Sequence, residues 1–473
     1  MKRRAKIICT LGPASREPET LRELIRAGMN IARLNFSHAS HEEHAETIRR
    51  IRKVAEEMDT VVAIMQDLQG PKIRTGVVPE EGVRLEDGAP FVITTAALPL
   101  GSSERVSTSY TALTGDVRDG QTILLDDGYL SLEVERVDGT EVHTRVRKGG
   151  VLRSNKGIIV PGCEISAPPL SEKDVEDLRF GLEAGVDAVA LSFVRSERDI
   201  IELRTTMKLF GRRVPIIAKI ERYEGISDIE DIVQEADGIM VARGELGVEM
   251  PAEQVPVLQK RIIARCNYYG KPVITATQML ESMIGNPRTT RAEASDVANA
   301  VLDGTDCVML SAETSIGSYP VEAVQYMDSI VRAIEESGTQ LAGMQHEIPE
   351  DKETNVADAI GRASCVIAEQ INAAAIVTLT SSGGTARVIS KYRPRVPILA
   401  LSDDPETLKQ LAFTWGISPV AIPPLAEMNY QLAALRDIVL ATGEVQKGDH
   451  VVYSAGSPLQ NRASTNMLEV QRL

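Results

Sequence analysis

The chain has 473 residues, with 52 Lys plus Arg against 67 Asp plus Glu, a formal net charge of −15; so acidic a protein is not a general binder of nucleic acid or of anionic membranes, whose contacts need a basic face. Apolar residues at 43% and charged residues at 25% are the balance of a soluble globular protein and exclude a disordered chain. At about 150 residues per domain the length predicts about three domains, and with 6 Phe, 10 Tyr and 1 Trp their cores must be filled by aliphatic side chains.

No window reaches the ~20 uninterrupted apolar residues of a membrane helix. The amino-terminal run MKRRAKIICTLGP is cut by Thr10, Gly12 and Pro13 and lacks a cleavage site, so it does not read as a signal peptide. The expected location is cytoplasmic. Cys9, Cys163, Cys266, Cys307 and Cys365 are odd in number and scattered, with no CxxC pair, which argues against a disulfide framework or a zinc site. His38, His41 and His44 fall at helical spacing and read as solvated surface.

Short apolar runs, each followed by an amphipathic stretch, predict strands at 5–10, 30–35, 61–67, 186–193, 215–220, 237–243, 272–277 and 307–311. Eight such units close a (β/α)8 barrel. Between the third and fourth, from about Lys72 to Pro168, helical periodicity gives way to Gly-punctuated Val and Thr alternation, predicting a small all-β domain, a β-barrel lid, inserted after strand three. Its place at the carboxyl end of a strand lets it close over the site. Residues 340–355 read as a linker. Beyond them a helix at 356–371, further βα alternation, a helix at 429–441 and two last strands predict an open α/β sheet of about five strands. The expected domains are therefore a discontinuous barrel (1–71 and 169–339), the inserted lid (72–168) and a carboxy-terminal α/β domain (354–473).

Polar groups gather at the predicted strand ends: Arg33 and Asn35, Asp67, Lys219 and Glu221, Arg243 to Glu245, and Thr277 with Gln278. A charge inside an apolar barrel strand is costly unless it reaches the mouth and is paired; Lys219, in PIIAKIE, is the sharpest case. Glu221 and Glu245 offer hard oxygen ligands for Mg2+ or Mn2+. Arg33, Arg74 and Lys219 offer cations for phosphate. Such a set suits phosphoryl transfer, where catalysis is mostly positioning and charge neutralisation. Gly244, in ARGELG, is expected to end its strand through permissive dihedrals, with free amides beyond it facing an anion. In TSSGGTAR, the residues Thr380, Ser381, Ser382, Gly384 and Thr385 open a predicted helix and read as a phosphate cradle.

The motifs KIICTLGPAS, NIARLNFSHAS, DLQGPKIRTG, AKIER, GIMVARGELGVEMP and KPVITATQMLESM, with TRAEASDVANAVLDGTD and MLSAETSIGSYP, closely resemble the pyruvate kinase family over essentially the whole chain. The resemblance implies transfer of the phosphoryl group of phosphoenolpyruvate to ADP, giving ATP and an enolate of pyruvate that is then protonated. It implies that Lys219 neutralises the moving group, that Arg33 holds the phosphate, and that Glu221 and Glu245 bind Mg2+. It places Thr277 near the proton donor and the amides of Gly244 and Glu245 on the substrate carboxylate. Asn35, His38, Arg74 and Lys173 match positions near the nucleotide or metal, and 380–385 the sugar-phosphate effector loop. A homotetramer is implied as well.

Three departures stand out. Glu245 occupies a position usually held by Asp, which predicts a changed metal preference. Many members bind K+ near Asn35, Ser37, Asp67 and the backbone at 68; here Leu68 replaces Thr and Lys72 replaces Glu, so the Lys72 ammonium is expected to stand in for K+, making K+ unnecessary. Thr289 replaces Pro, with no consequence readable. The short 454–466 loop departs from forms that clamp fructose 1,6-bisphosphate, leaving AMP or a sugar monophosphate open as effector. The competing readings are a barrel lyase or mutase acting on a pyruvate enolate without nucleotide, and a non-catalytic sugar-phosphate sensor.

Overall fold

The computed structural model describes residues 3–337, 355–424, 432–456 and 465–473; the expected linker apart from Asn355, which caps the next helix, and the loop within 454–466 apart from its ends, lie outside them. Eight parallel strands close a barrel: β1 (Lys6–Thr10), β2 (Ile31–Asn35), β3 (Ala63–Asp67), β4 (Ala188–Leu191), β5 (Ile216–Ile220), β6 (Gly238–Ala242), β7 (Val273–Ala276) and β8 (Cys307–Leu310). Each pairs with its neighbours in sequence, and β8 returns to β1 in register Lys6 to Cys307. The strands are apolar on both faces because one side meets helices and the other fills the barrel. Ile8, Ile31, Met65, Ile217, Met240 and Ile274 belong to the inner cluster. The alternate residues, such as Ile7, Ile64, Val189 and Val241, pack outward against the helices.

Helix starts are fixed chemically. Ser40, Ser171 and Thr290 each cap a helix through a reciprocal bond set with Glu43, Asp174 and Glu293. The last case explains Thr289. Its hydroxyl donates to Glu293 Oε2 at 3.0 Å, beside donors from Ser282 and Thr290. Burial acts to raise the Glu293 pKa, but these donors outweigh it and hold the group down at about 2. Since the folded value lies below the unfolded one, the stabilisation is present above about pH 4.5 and is lost as pH falls through about 2. Glu293→Ala is expected to lower stability by roughly 1–2 kcal/mol, the scale of a lost cap. Urea unfolding at pH 7 measures it, and an unchanged midpoint would contradict this account.

The insert's pairings run from Arg74 to Ile159. Strands Ile158–Ile159, Thr122–Leu125, Leu130–Asp138, Glu141–Lys148, Pro90–Thr94 and Arg105–Ser107 form one sheet in that spatial order, and Val83–Leu85 pairs with Gly150–Leu152. Single bridges from Arg74 to Gly157 and from Thr75 to Thr108 join the two edges of the larger sheet. The only helical element described in the insert is Leu113–Asp116.

The carboxy-terminal sheet is ordered β11 (Ile417–Ala421), β10 (Ile398–Ser402), β9 (Ala375–Leu379), β12 (His450–Ala455) and β13 (Met467–Arg472), with only β13 antiparallel. It docks under the barrel. Ala412 and Phe413 join the cluster inside the barrel, and Lys6 Nζ donates to the Ile417 carbonyl at 2.6 Å. Arg393, at a φ of 49°, reaches both carboxylate oxygens of Asp306 at 3.0 and 3.1 Å and the Gly304 carbonyl, with its guanidinium 5.0 Å from the centre of the Trp415 ring.

The histidine reading is corrected here. His44 is buried and stacks on Phe36 with 4.0 Å between ring centres, while His41 stacks on Phe180 and contacts Asp177 at 2.7 Å. An imidazole's apolar faces let it fill a core position once one nitrogen finds an acceptor, here the His38 carbonyl for His44. Of the three, only His38 is fully on the surface, since His41 is half-buried. The cysteines are all free, and Cys9, Cys163, Cys266 and Cys307 are buried.

Candidate active site

The carboxyl ends of β2, β3, β5 and β6 bring the expected charges together. Lys219 Nζ lies 2.7 Å from Ser192 Oγ, 2.9 Å from Glu221 Oε1 and 3.3 Å from Asp67 Oδ1. Arg33 Nε donates to the other Asp67 oxygen at 2.7 Å, and its Nη1 to Thr10 Oγ1 at 2.9 Å. The second Glu221 oxygen accepts the Phe193 amide at 2.6 Å. All these carboxylates are at most 2% exposed.

Burial alone would lower the Lys219 pKa, yet Asp67, Glu221 and Glu245 outweigh it and hold the ammonium charged. For Asp67, burial is likewise outweighed, by Lys219 and Arg33, and its pKa falls. Glu221 is different. Burial and the nearby Glu245 raise its pKa against the pull of Lys219. Three carboxylates outnumber two cations here, and Glu245 Oε2 is buried with no hydrogen-bond partner. An orphaned carboxylate oxygen beside a second carboxylate suits a hard divalent cation, which needs only one or two protein carboxylates when substrate and water complete its shell. Among the described residues no cluster of three or more His, Cys, Asp or Glu forms a ready-made metal cage.

A cleft of about 490 Å³ opens beside these groups. Glu221, Glu245, Thr277 and Glu249 line it from the barrel, and Lys72, Asp127 and Tyr129 from the insert side. Glu249 is pushed up to about 7 by burial, with Glu224 adding and Arg222 opposing.

The region after β6 departs from expectation. Gly244 lies in the helix Arg243–Glu249 with no positive φ, and an added Cβ would sit at an ordinary 3.5 Å from Thr277 Oγ1. Its dihedrals are not what requires glycine. Nor is its amide free: it donates to Thr277 Oγ1 at 2.7 Å. Thr277 and Gln278 take left-handed φ values of 67° and 55°, so the strand stops at Ala276. Arg243 starts the helix rather than ending the strand. It turns from the cleft to grip Asp296 with two bonds of 2.7 Å and to bond the carbonyls of Ala276 and Thr277, fixing that strained turn.

The remaining expected positions are more dispersed. Asn35 Oδ1 accepts the Ser37 amide at 3.1 Å, and the Leu68 carbonyl accepts the Ser192 hydroxyl at 2.7 Å. Lys72 is exposed at the cleft. Lys173 donates to the Phe36 carbonyl at 2.8 Å and pairs with Asp177. Arg74 is held by the Asn155 carbonyl in the insert. Ser192 was not among the expected site residues. Its signal was its place at the end of the fourth apolar run, just past Leu191, which pairs with Ala218 beside Lys219. In the last domain Thr380 Oγ1 accepts the Gly383 amide at 2.9 Å, and Thr385 shares a 2.6 Å hydroxyl contact with Thr465.

Comparison with known proteins decides the family. The profile described as "Pyruvate kinase, barrel domain" matches residues 2–324, and "Pyruvate kinase, alpha/beta domain" matches residues 358–471. The chain belongs to the pyruvate kinase family. It is 46% identical to the pyruvate kinase of Geobacillus stearothermophilus, over 99% of this chain and 80% of that protein. It is 45% identical to that of Mycobacterium intracellulare, over 100% of this chain and 99% of that protein. With that of Staphylococcus aureus (strain MRSA252) the identity is 44%, over 99% of this chain and 80% of the relative. Pyruvate kinases are phosphotransferases of glycolysis, and the family is generally Mg2+-dependent. A lyase or mutase is not favoured. Among the described residues no helix is long and apolar enough to cross a membrane.

Proposed function

We propose that the Lys219 cluster transfers the phosphoryl group of phosphoenolpyruvate to ADP, as the last step of glycolysis in the cytoplasm. The carrying observation is a buried ammonium held between Asp67, Glu221 and Ser192 at the mouth of the barrel. Arg33 holds the phosphate and Lys219 neutralises it as the bond to the enol oxygen breaks and a bond to an ADP oxygen forms. Glu221 and Glu245 hold Mg2+ or Mn2+, which supplies positive charge for the phosphoryl oxygens. Water positioned near Thr277 protonates the enolate carbon, and the amides of Gly244 and Glu245 hold the substrate carboxylate once the Thr277 hydroxyl yields. Asn35, His38, Arg74 and Lys173 serve the nucleotide side. The direct test is ATP formation from phosphoenolpyruvate and ADP with Mg2+, and its absence would refute the reading.

Two features of this chain modify the chemistry. Lys72, exposed at the cleft, supplies the charge that K+ gives other members at Asn35, Ser37, Asp67 and Leu68. The rate in buffer free of K+ and Na+ is therefore expected to stay unchanged when K+ is added, and a many-fold rise sinks the idea. At position 245 the extra methylene shifts metal preference without removing a ligand. Glu245→Asp is expected to stay active with an altered ratio of Mg2+- to Mn2+-supported rates. Complete inactivity would count against Glu245 as a metal ligand.

The reading extends to a homotetramer and to a phosphorylated effector at Thr380, Ser381, Ser382, Gly384 and Thr385. The hydroxyl-rich turn there, closed by Thr380 on the Gly383 amide, supports it.

A further inference from the structure

Just past β4 the chain makes a second strained turn at the mouth of the barrel. Phe193 has a φ of 57°, a left-handed conformation that is costly for a bulky side chain and persists only where its surroundings enforce it. The turn carries two contacts of the catalytic cluster. Ser192 Oγ meets Lys219 Nζ at 2.7 Å, and the Phe193 amide donates to Glu221 Oε2 at 2.6 Å. Since Lys219 holds Glu221 Oε1 at 2.9 Å, this carboxylate is gripped at both oxygens, and each oxygen keeps a lone pair for a further partner.

The Phe193 ring shows how the turn is held. Gly70, in the connection from β3 into the insert, sits so close that an added Cβ would lie 3.0 Å from Phe193 Cδ2 and 2.9 Å from Ser192 Cβ. Glycine alone fits there. Over the ring lies the Arg222 guanidinium, 5.6 Å from the ring centre. Arg222 is 7% exposed, so its charge is largely withdrawn from water, which strengthens its attraction to an aromatic face. Its acidic neighbours hold it more loosely: Glu224 Oε1 is 3.9 Å away, beyond hydrogen-bond reach, and Glu249 is stabilised by it as the anion. The ring is therefore confined by Gly70 on one side and Arg222 on another, and it cannot swing without disturbing the amide that holds Glu221.

We propose that Phe193 is a positioning residue for the divalent metal: its ring, fixed by Gly70 and Arg222, keeps a strained backbone amide on Glu221 and so keeps that carboxylate aimed for the ion. The proposal rests on the reading of Glu221 as a metal ligand. An amide bonded to an ionised carboxylate is one of the stronger hydrogen bonds, and groups that orient a ligating carboxylate are typically worth about 10–100-fold in metal affinity or activity. Phe193 and Arg222 both line the catalytic cleft beside Glu221. The strain at Phe193 thus has a use: the left-handed turn is what brings its N–H to Glu221.

The test is Mn2+ binding to the full-length protein, without nucleotide or phosphoenolpyruvate, read from the loss of the free-ion paramagnetic resonance signal. Phe193→Gly changes no charge and relieves the backbone strain, so it removes only the lock; it is expected to weaken Mn2+ binding by about tenfold. Arg222→Met gives a test of sign. Charge alone would tighten Mn2+ binding when a neighbouring cation is removed, whereas loss of the ring contact loosens it, and weaker binding is the expected result. Wild-type affinity in Phe193→Gly overturns the proposal, as does unchanged or tighter binding in Arg222→Met. Glu221→Gln separates this inference from the reading beneath it. If Glu221→Gln weakens Mn2+ binding and Phe193→Gly does not, Glu221 stays a ligand and only the positioning role falls; if Glu221→Gln binds as wild type does, the ligand reading falls and the proposal with it. Phe193→Leu, which keeps apolar volume but loses the flat face, is expected to weaken binding as Phe193→Gly does, and it decides the question should the glycine variant fail to fold.

Discussion

Replacing Lys219 by methionine is expected to lower the rate of ATP formation from phosphoenolpyruvate and ADP by about 10²–10³-fold or more, the cost of removing one preorganised charge from a transition state. The argument rests on position and on charge. The ammonium is 9% exposed, so water cannot replace it, and it is kept protonated by three surrounding carboxylates. Methionine keeps the apolar stem and removes only the charged end. The same change leaves Asp67 and Glu221 buried with one partner fewer, so a stability loss of about 3–5 kcal/mol is expected beside the kinetic one. Thermal unfolding separates the two effects: the folded fraction at the assay temperature corrects the rate. Equal corrected rates in the two proteins would remove Lys219 from the mechanism.

Arg393→Ala is expected to be the most destabilising single change at the boundary between the barrel and the last domain, at about 3–5 kcal/mol. The guanidinium is 5% exposed and Asp306 4%. Removal of the arginine therefore strands a buried carboxylate and also uncovers one face of Trp415. Asp306 keeps the amides of Trp415 and Val273, at 3.0 and 3.1 Å, but amides do not neutralise a charge. Denaturant unfolding followed by the fluorescence of Trp415, the single tryptophan of the chain, reads this boundary directly. An early Trp415 transition separate from loss of the barrel, or one transition at a lowered midpoint, is the expected result. A midpoint equal to wild type would show that the Arg393–Asp306 pair does not hold the domains together.

The parts of the fold legible in the sequence were those with a local physical signal. The eight barrel strands could be read because residues such as those of CVML and GIMVA must be apolar on both faces. Their ends were less certain, by one to a few residues, because Arg243 and Thr277 follow their strands without a break in composition. Lys219 was legible for the opposite reason: a charge that local patterning cannot explain has to be explained by a site. Family motifs then supplied roles for Arg33, Glu221, Glu245 and Thr277 that spacing by itself would not.

What the sequence by itself determined, then, is the order and type of the elements and which end of the barrel gathers the charges, since both depend on hydrophobic period and on charges out of place. Tertiary structure decided every question of partnership. It buried His44 against Phe36, gave the Gly244 amide to Thr277, turned Arg243 away to Asp296 and placed Ser192 on Lys219. It also set the Phe193 ring against Gly70 and under Arg222. Periodicity reports which face of an element is apolar; which polar atoms meet is settled only when the barrel closes and the last domain docks beneath it.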